Sequence, residues 1–319
     1  MSKAEVQVQV LRAAQDDNEA CRPERSEGPA LSVAALVAEM AAMLEPSLGG
    51  DALAEARELL ALLHDMPRHW PALARDHELD TEQCVAAHRA AEKRAAGAPL
   101  PYAAGRAAFR HLTLDVDERV LIPRPETEQL VEIVLELTRD ERGGVAVDVG
   151  TGSGAIALSL ASEGTFAHVI GTDVSLDALA VARANAERLG GRWCARLELR
   201  HGSLLGPVPE SGLRAIVSNP PYISFGEAVD LPASVRDWEP AVALFSGQDG
   251  MAATTLLVRE AAASLAPLGL LALEVDMRRA ATVAALVASH GSYADVRVLL
   301  DLTGRERFVV ARRREEEKG

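Results

Sequence analysis

From Ser32 to about Ala96 the apolar positions recur at helical spacing. Leu36, Val37, Met40, Met43 and Leu44 fall on one helix face, and Leu53, Ala56, Leu59, Leu60 and Leu63 repeat the pattern after the Gly49-Gly50 break. A third helical stretch follows Asp80 and Thr81, residue types that accept from the free N–H groups of a first turn, and runs to about Ala96. Together they predict a small helical domain over residues 31–97. Ahead of it, residues 1–30 show little periodicity, with polar runs such as Asp16-Asp17-Asn18-Glu19, and read as a mobile extension.

Gly97 to Pro101 is a breaker-rich joint. Beyond it Leu112, Leu114 and Val116 alternate with polar residues, and Val120-Leu121-Ile122 follows a charged turn, which predicts a β-hairpin bridge over 98–123. From Val145 short apolar runs alternate with amphipathic helices: Val145 to Val149, a helix from Ser153, His168 to Thr172, a helix from Ser175 to Leu189, Leu197 to Leu199, and Leu213 to Val217. Further runs at Leu270 to Val275, Val296 to Leu300 and Phe308 to Ala311 bring the total to about seven strands, the last two joined closely enough to be antiparallel. Such alternation predicts an α/β domain over 124–319, a doubly wound, Rossmann-like, mostly parallel sheet with helices on both faces.

The 319 residues suffice for two domains, and 48% hydrophobic with 25% charged residues is the profile of a folding chain. A net charge of −14, with no basic stretch standing out, argues against a direct nucleic-acid partner, because non-specific binding draws on clustered lysine and arginine. Cys21, Cys84 and Cys194 are odd in number and in no metal-ligand spacing, so neither a disulfide framework nor a metal is expected, and a reducing cytoplasm fits. No apolar run approaching 18 residues is evident and no export signal opens the chain, so no membrane partner is expected.

Candidate chemistry sits at two strand ends. Val147-Asp148-Val149-Gly150-Thr151-Gly152-Ser153-Gly154 passes from a strand into a helix, where glycines allow a tight turn and close approach of a ligand to the backbone. Asp173 ends the next strand, placed to accept from ribose hydroxyls. The pair describes a nucleoside-bearing cofactor, and by itself fits NAD as well as S-adenosylmethionine, since Gly150, Gly152 and Ala155 also satisfy the dinucleotide fingerprint.

The second is Ser218-Asn219-Pro220-Pro221-Tyr222, at the end of the run Ala215-Ile216-Val217. Four specified residues, two of them proline, arise by chance at roughly one in 10⁵ positions. A planar nitrogen conjugated to a carbonyl is a weak nucleophile because its lone pair is delocalised. Methylating it requires fixed oxygens that accept its N–H groups; the Asn219 side chain and the Pro220 carbonyl can serve, and the prolines hold them in place beforehand. Tyr222 can stack on the planar group and favour a cation with its ring face.

The glycine loop, Asp173 and Asn219 to Tyr222 resemble class I S-adenosylmethionine-dependent methyltransferases acting on planar nitrogens. Leu121-Ile122-Pro123-Arg124-Pro125-Glu126-Thr127-Glu128 is similar to the signature of the peptide chain release factor N5-glutamine methyltransferases. Further matches are Pro101-Tyr102 with Gly105 and Phe109, Glu239-Pro240 with Ala243-Leu244-Phe245, Gly247 with Asp249-Gly250, and Asp301-Leu302 with Gly304 and Arg307. The resemblance, over about residues 32–312, implies methylation of the glutamine in the Gly-Gly-Gln loop of class I release factors, yielding S-adenosylhomocysteine, with the helical domain helping to hold that partner. It implies Asn219, Pro220, Pro221 and Tyr222 as catalytic residues. Gly150, Thr151, Gly152, Ser153, Gly154, Asp173, Ser203, Leu204 and Asn219 are implied to hold the cofactor.

Two positions depart from the family pattern. Gly202-Ser203-Leu204 stands where Gly-Asp and an aromatic residue are usual, so the carboxylate that meets the adenine amine is absent and weaker cofactor binding is expected. Asp276 stands where glycine is expected. Competing functions are a glutamine methyltransferase acting on a ribosomal protein, whose signature has serine after Pro-Arg; a DNA N6-adenine methyltransferase, which calls for a basic target-recognition region; and an NAD-dependent dehydrogenase, which leaves the Asn-Pro-Pro-Tyr corner unexplained.

Overall fold

The structure, a computed structural model, describes residues 30–315. The extension expected over 1–30 therefore lies outside the described residues except for Ala30. The first described elements are β1 (Leu31–Ser32), antiparallel to β2 (Glu78–Leu79), and the helices α1 (Val33–Leu48), α2 (Ala52–Leu63) and α3 (Thr81–Ala95). The Ser32 hydroxyl accepts from Ala35 N–H at 3.2 Å to open α1. Asp80 and Gln83 accept from each other's backbone N–H at 2.9 Å, a reciprocal cap that fixes the start of α3. Val33, Leu36, Met40 and Leu44 meet Ala56, Leu59, Leu60, Ala87 and Ala91 in one apolar core. Leu53 departs from expectation: it faces solvent while Ala52 is buried, because α2 starts directly after the 3₁₀ turn Gly49–Asp51 and its inner face runs through 52, 56, 59 and 60.

A correction concerns apolar length. Counted as one run, Val33–Leu63 is long and apolar enough by length and composition to cross a membrane. Alanine-rich helices reach that hydropathy through small residues, and here the Gly49–Asp51 turn breaks the run into two helices that pack in the core just described.

The hairpin is formed by β3 (Arg106–Phe109) and β4 (Leu112–Asp115), with Phe109 opposite Leu112 and Arg110 at φ 53° in the turn. The expected partner, Val120 to Ile122, is not a strand. A two-residue connection closes β3 on β4 at small entropic cost, and the chain after Ile122 runs into Pro123 and Pro125, which supply no ladder donors. Val120 and Ile122 are buried all the same, and the Val120 carbonyl accepts from the Tyr102 hydroxyl at 2.6 Å.

Apart from short helical turns, the remaining elements are α4 (Pro125–Thr138), β5 (Val145–Val149), α5 (Ala155–Glu163), β6 (His168–Asp173), α6 (Leu176–Leu189), β7 (Leu197–His201), β8 (Leu213–Ser218), α7 (Ala252–Ser264), β9 (Leu265–Glu274), α8 (Ala280–Ser289), β10 (Tyr293–Leu300) and β11 (Glu306–Arg313). The seven-stranded sheet has the order β10-β11-β9-β8-β5-β6-β7, with β11 antiparallel to both its neighbours and the rest parallel. Neighbouring residues of β8 serve opposite cores: Ala215 and Val217 pack with α4, α5 and the hairpin, Leu213 and Ile216 with α7 and α8. Burial on both faces explains the continuous apolar runs. Trp238, half-buried, packs against both the helical core and the hairpin side of the sheet. Among the described residues Cys84 and Cys194 are free thiols.

The chain leaves β5 toward β6 on one side and reaches β8 on the other, which makes the β5–β8 boundary a topological switch point. Val149 is registered against Ser218 there, so the glycine loop and the Asn-Pro-Pro-Tyr corner leave the sheet side by side.

Candidate active site

The loop after β5 is held from both ends. Gly150 and Thr151 N–H both donate to the Thr172 carbonyl at 2.9 Å, and Gly152, at φ 55°, turns its N–H onto Asp173 Oδ2 at 2.9 Å. Asp173 Oδ1 accepts from Ser175 N–H at 2.9 Å, so two backbone donors fix this half-buried carboxylate at the tip of β6. Beneath the loop, fully buried Asp148 accepts from the Thr151 hydroxyl at 2.6 Å and from Ala157 N–H at 3.0 Å, while its Oδ1 has no partner among the described residues. Burial pushes the Asp148 carboxyl up to about 7.

The corner is tied to this loop. Ser218 Oγ donates to the Val149 carbonyl at 2.7 Å, locking the end of β8 to the end of β5. Asn219 Nδ2 donates to Thr127 Oγ1 at 3.2 Å, and Thr127 donates to Glu274 Oε2 at 2.7 Å. Beyond Tyr222 the chain is stitched to residues 244–246: Ile223 N–H donates to the Leu244 carbonyl at 3.0 Å and Ser246 N–H to the Ile223 carbonyl at 2.9 Å. Gly250 closes over the corner so tightly that a Cβ there would lie 2.2 Å from the Tyr222 carbonyl. Burial pushes the Tyr222 phenol up to about 12, which keeps it neutral.

Two cavities meet at this corner. One, of about 270 Å³, is lined by Gly150, Gly152, Asp173, Ser203, Leu204, Asn219, Pro220 and Pro221, with Arg119 to Leu121, Val242 and Ala243 on its far wall. The other, of about 360 Å³, is lined by Tyr222, Ile223, Arg124, Glu227, Asp230, Leu244, Asp276 and Arg278. They share Leu121, Asn219, Pro220 and Ala243. Thr151 and Ser153 line only a small cleft behind Asn219, of about 50 Å³, together with Gly152 and Thr127. Gly154 lines none of these cavities; a Cβ there would lie 2.9 Å from Leu158, so it serves helix packing. Hence Gly152 and Asn219 together line the first cavity and the small cleft, Thr151 and Ser153 line that cleft with them, and Gly154 lines neither.

With this geometry in place, relatives decide the family. A release factor glutamine methyltransferase of Moorella thermoacetica is 45% identical over 228 residues, 72% of this chain and 80% of that protein. The chain belongs to the release factor glutamine methyltransferase family. A relative with the same function name from Deinococcus radiodurans is 40% identical over 259 residues, 81% of this chain and 90% of its own length. Residues 126–233 match the methyltransferase small domain and residues 35–105 the PrmC N-terminal domain. Among solved structures, the hMettl16 catalytic domain in complex with MAT2A 3′UTR hairpin 1 superposes with a TM-score of 0.54 at 14% identity, covering 75% of this chain and 82% of that one, a likeness of fold alone.

The structure also places the positions where the resemblance leads one to expect other residues. Ser203 is exposed on the wall of the first cavity, and Leu204, at φ 49°, accepts from the Thr172 hydroxyl at 2.9 Å through its carbonyl. Asp276 accepts from Arg278 N–H and Nε at 2.8 Å each, and Glu227 binds Arg278 at 2.9 Å and Arg279 at 2.6 Å. These pairs anchor residues 224–230 beside the second cavity, a structural role for Asp276. Sequence reading missed Thr127 and Glu274 as a site pair. Thr127 sat inside the Pro-Glu-Thr-Glu signature, and the one signal for Glu274 was a carboxylate closing an apolar strand run.

Proposed function

We propose that this chain methylates the side-chain amide nitrogen of the glutamine in the Gly-Gly-Gln loop of class I peptide chain release factors, using S-adenosylmethionine. The observation that carries the proposal is the pair of cavities joined at Asn219 and Pro220, one walled by the glycine loop and Asp173, the other opening past Tyr222. The first fits a nucleoside: Asp173, already fixed by two backbone N–H groups, retains lone pairs for ribose hydroxyls, and apolar Leu204, Val242 and Ala243 suit a flat base. When bound there, S-adenosylmethionine supplies the electrophilic methyl group.

The chain's own residues supply position. A glutamine amide in the second cavity donates its N–H groups to Asn219 Oδ1 and the Pro220 carbonyl, which draws density onto the nitrogen and aims its lone pair across the shared wall. The neutral Tyr222 ring packs on the amide plane. The new N–C bond uses the nitrogen's electron pair as the donor's sulfur–methyl bond breaks, that bond's electrons staying on sulfur to leave S-adenosylhomocysteine, and one amide proton leaves to water, since both acceptors are neutral. The helical module over 31–97 is proposed to help hold the release factor. Neither a ribosomal-protein nor a DNA substrate is favoured, since the relatives compared bear release-factor names and the chain offers no basic target-recognition stretch.

The test is incubation of the enzyme with labelled S-adenosylmethionine and purified class I release factor, followed by mass mapping of the label. One methyl on the Gly-Gly-Gln glutamine is expected; label elsewhere, or none, overturns the proposal.

A further inference from the structure

We infer that Thr127 and Glu274 form a positioning pair that sets which end of the Asn219 carboxamide faces the methyl-accepting amide. The inference rests on the transfer proposed above and concerns residues one step removed from it.

A hydroxyl has a single proton to give. Thr127 Oγ1 lies 2.7 Å from Glu274 Oε2 and 3.2 Å from Asn219 Nδ2. An ionised carboxylate only accepts, so the Thr127 proton is committed to Glu274 and its oxygen is left able only to accept. It therefore takes an N–H of Asn219, the NH₂ end turns toward Thr127, and Oδ1 becomes the opposite end of the amide. Thr127 lines the small cleft with Asn219 and neither of the two large cavities, so the amide end turned to Thr127 points away from them and the oxygen end is the one left to the shared wall. A carboxamide flipped the other way would present N–H to a substrate N–H, repelling what it must grip.

Both side chains lie away from solvent, so the pair is not held by water. Thr127 is 5% exposed and Glu274 2% exposed, and a carboxylate is costly to bury unless paired. The charged and titratable groups that act on Glu274 are Arg124 and Glu126 from the N-terminal end of α4 and Arg307 of β11, with Tyr222 from the corner. Burial pushes Glu274 up to about 7 despite the Thr127 hydrogen bond. Once protonated, Glu274 can donate to Thr127, which frees the Thr127 proton for Asn219 Oδ1 and reverses the chain of donors. Turnover therefore rises as pH climbs through about 7.

The experiment compares wild type, Thr127→Val, Thr127→Ser and Glu274→Gln for release factor methylation across pH 6 to 8.5, with S-adenosylmethionine affinity measured by calorimetry. Thr127→Val is expected to lose about 10- to 100-fold in kcat with cofactor affinity within about twofold, and Thr127→Ser to recover to within about threefold of wild type. Glu274→Gln, which keeps the side chain's shape, should lower turnover and abolish the pH step. Thr127→Val turning over like wild type, or an unchanged pH step in Glu274→Gln, overturns the pair. Failure of wild type to label the release factor would instead count against the functional proposal.

Discussion

Replacing Asp173 with alanine separates two roles of one carboxylate. In the free protein it takes N–H groups from Gly152 and Ser175, both at 2.9 Å, so alanine leaves two donors without their acceptor. Asp173 is half-buried, so water reaches part of this site and the full cost of two charge-assisted bonds does not apply; about 1–2 kcal/mol of stability should be lost. For a protein of this size that lowers Tm by about 1.5–3 °C. In the bound state the same substitution also removes the proposed ribose acceptor, an expected loss of about 1.5–3 kcal/mol that raises the cofactor Kd roughly 10- to 150-fold. Calorimetric titration with S-adenosylmethionine and melting with and without it read the two effects apart. Asp173→Asn retains at most one of the two backbone bonds, because its NH₂ end would face an N–H, so it too should bind more weakly than wild type. A Kd for Asp173→Ala within twofold of wild type, with an unmoved apo Tm, would refute the assignment of this carboxylate to both the loop and the ribose.

Three further outcomes are expected. Asn219→Ala should lower kcat by about 10² to 10³-fold with cofactor affinity nearly kept, as single-turnover kinetics can check; wild-type turnover would remove Asn219 from the chemistry. Ser203→Asp puts the carboxylate that the resemblance leads one to expect on an exposed part of the cavity wall, and should tighten S-adenosylmethionine by about 1–1.5 kcal/mol, or roughly 5- to 12-fold by calorimetry. Burial raises Asp148 and Glu274 to about 7, above the value near 4 they take in the unfolded chain, so the stability they contribute is complete below about pH 4 and is lost as pH rises toward about 7. His64, held below its ordinary value by burial, acts in the opposite sense in part of that window. The readout is thus the difference in slope of urea stability between wild type and Asp148→Asn from pH 5 to 7.5, and equal slopes would count against a protonated Asp148 in the folded state.

Much of this protein is written locally. The Asp80 cap, Pro125 at the first position of α4, the glycine loop into α5 and the Asn219 corner each depend on residues within a few positions of one another, so their conformations follow from φ restrictions and first-turn hydrogen bonds. The alternation of apolar runs and amphipathic helices likewise fixed a doubly wound sheet, since a strand buried on both faces has little choice of composition. What the chain could not announce was partnership over distance. The hairpin partner of β4 turned out to be Arg106–Phe109, and Leu53 was turned outward by the preceding turn. The grip on Asn219 comes from Thr127, 92 residues earlier, which is in turn bound to Glu274, 147 residues after Thr127. Those three meet because strand order sets β9 beside β8 and the first turn of α4 lies against the ends of both. Hydrogen bonds a few ångströms long between segments so far apart exist only once the sheet has closed its loops, and no local propensity encodes them.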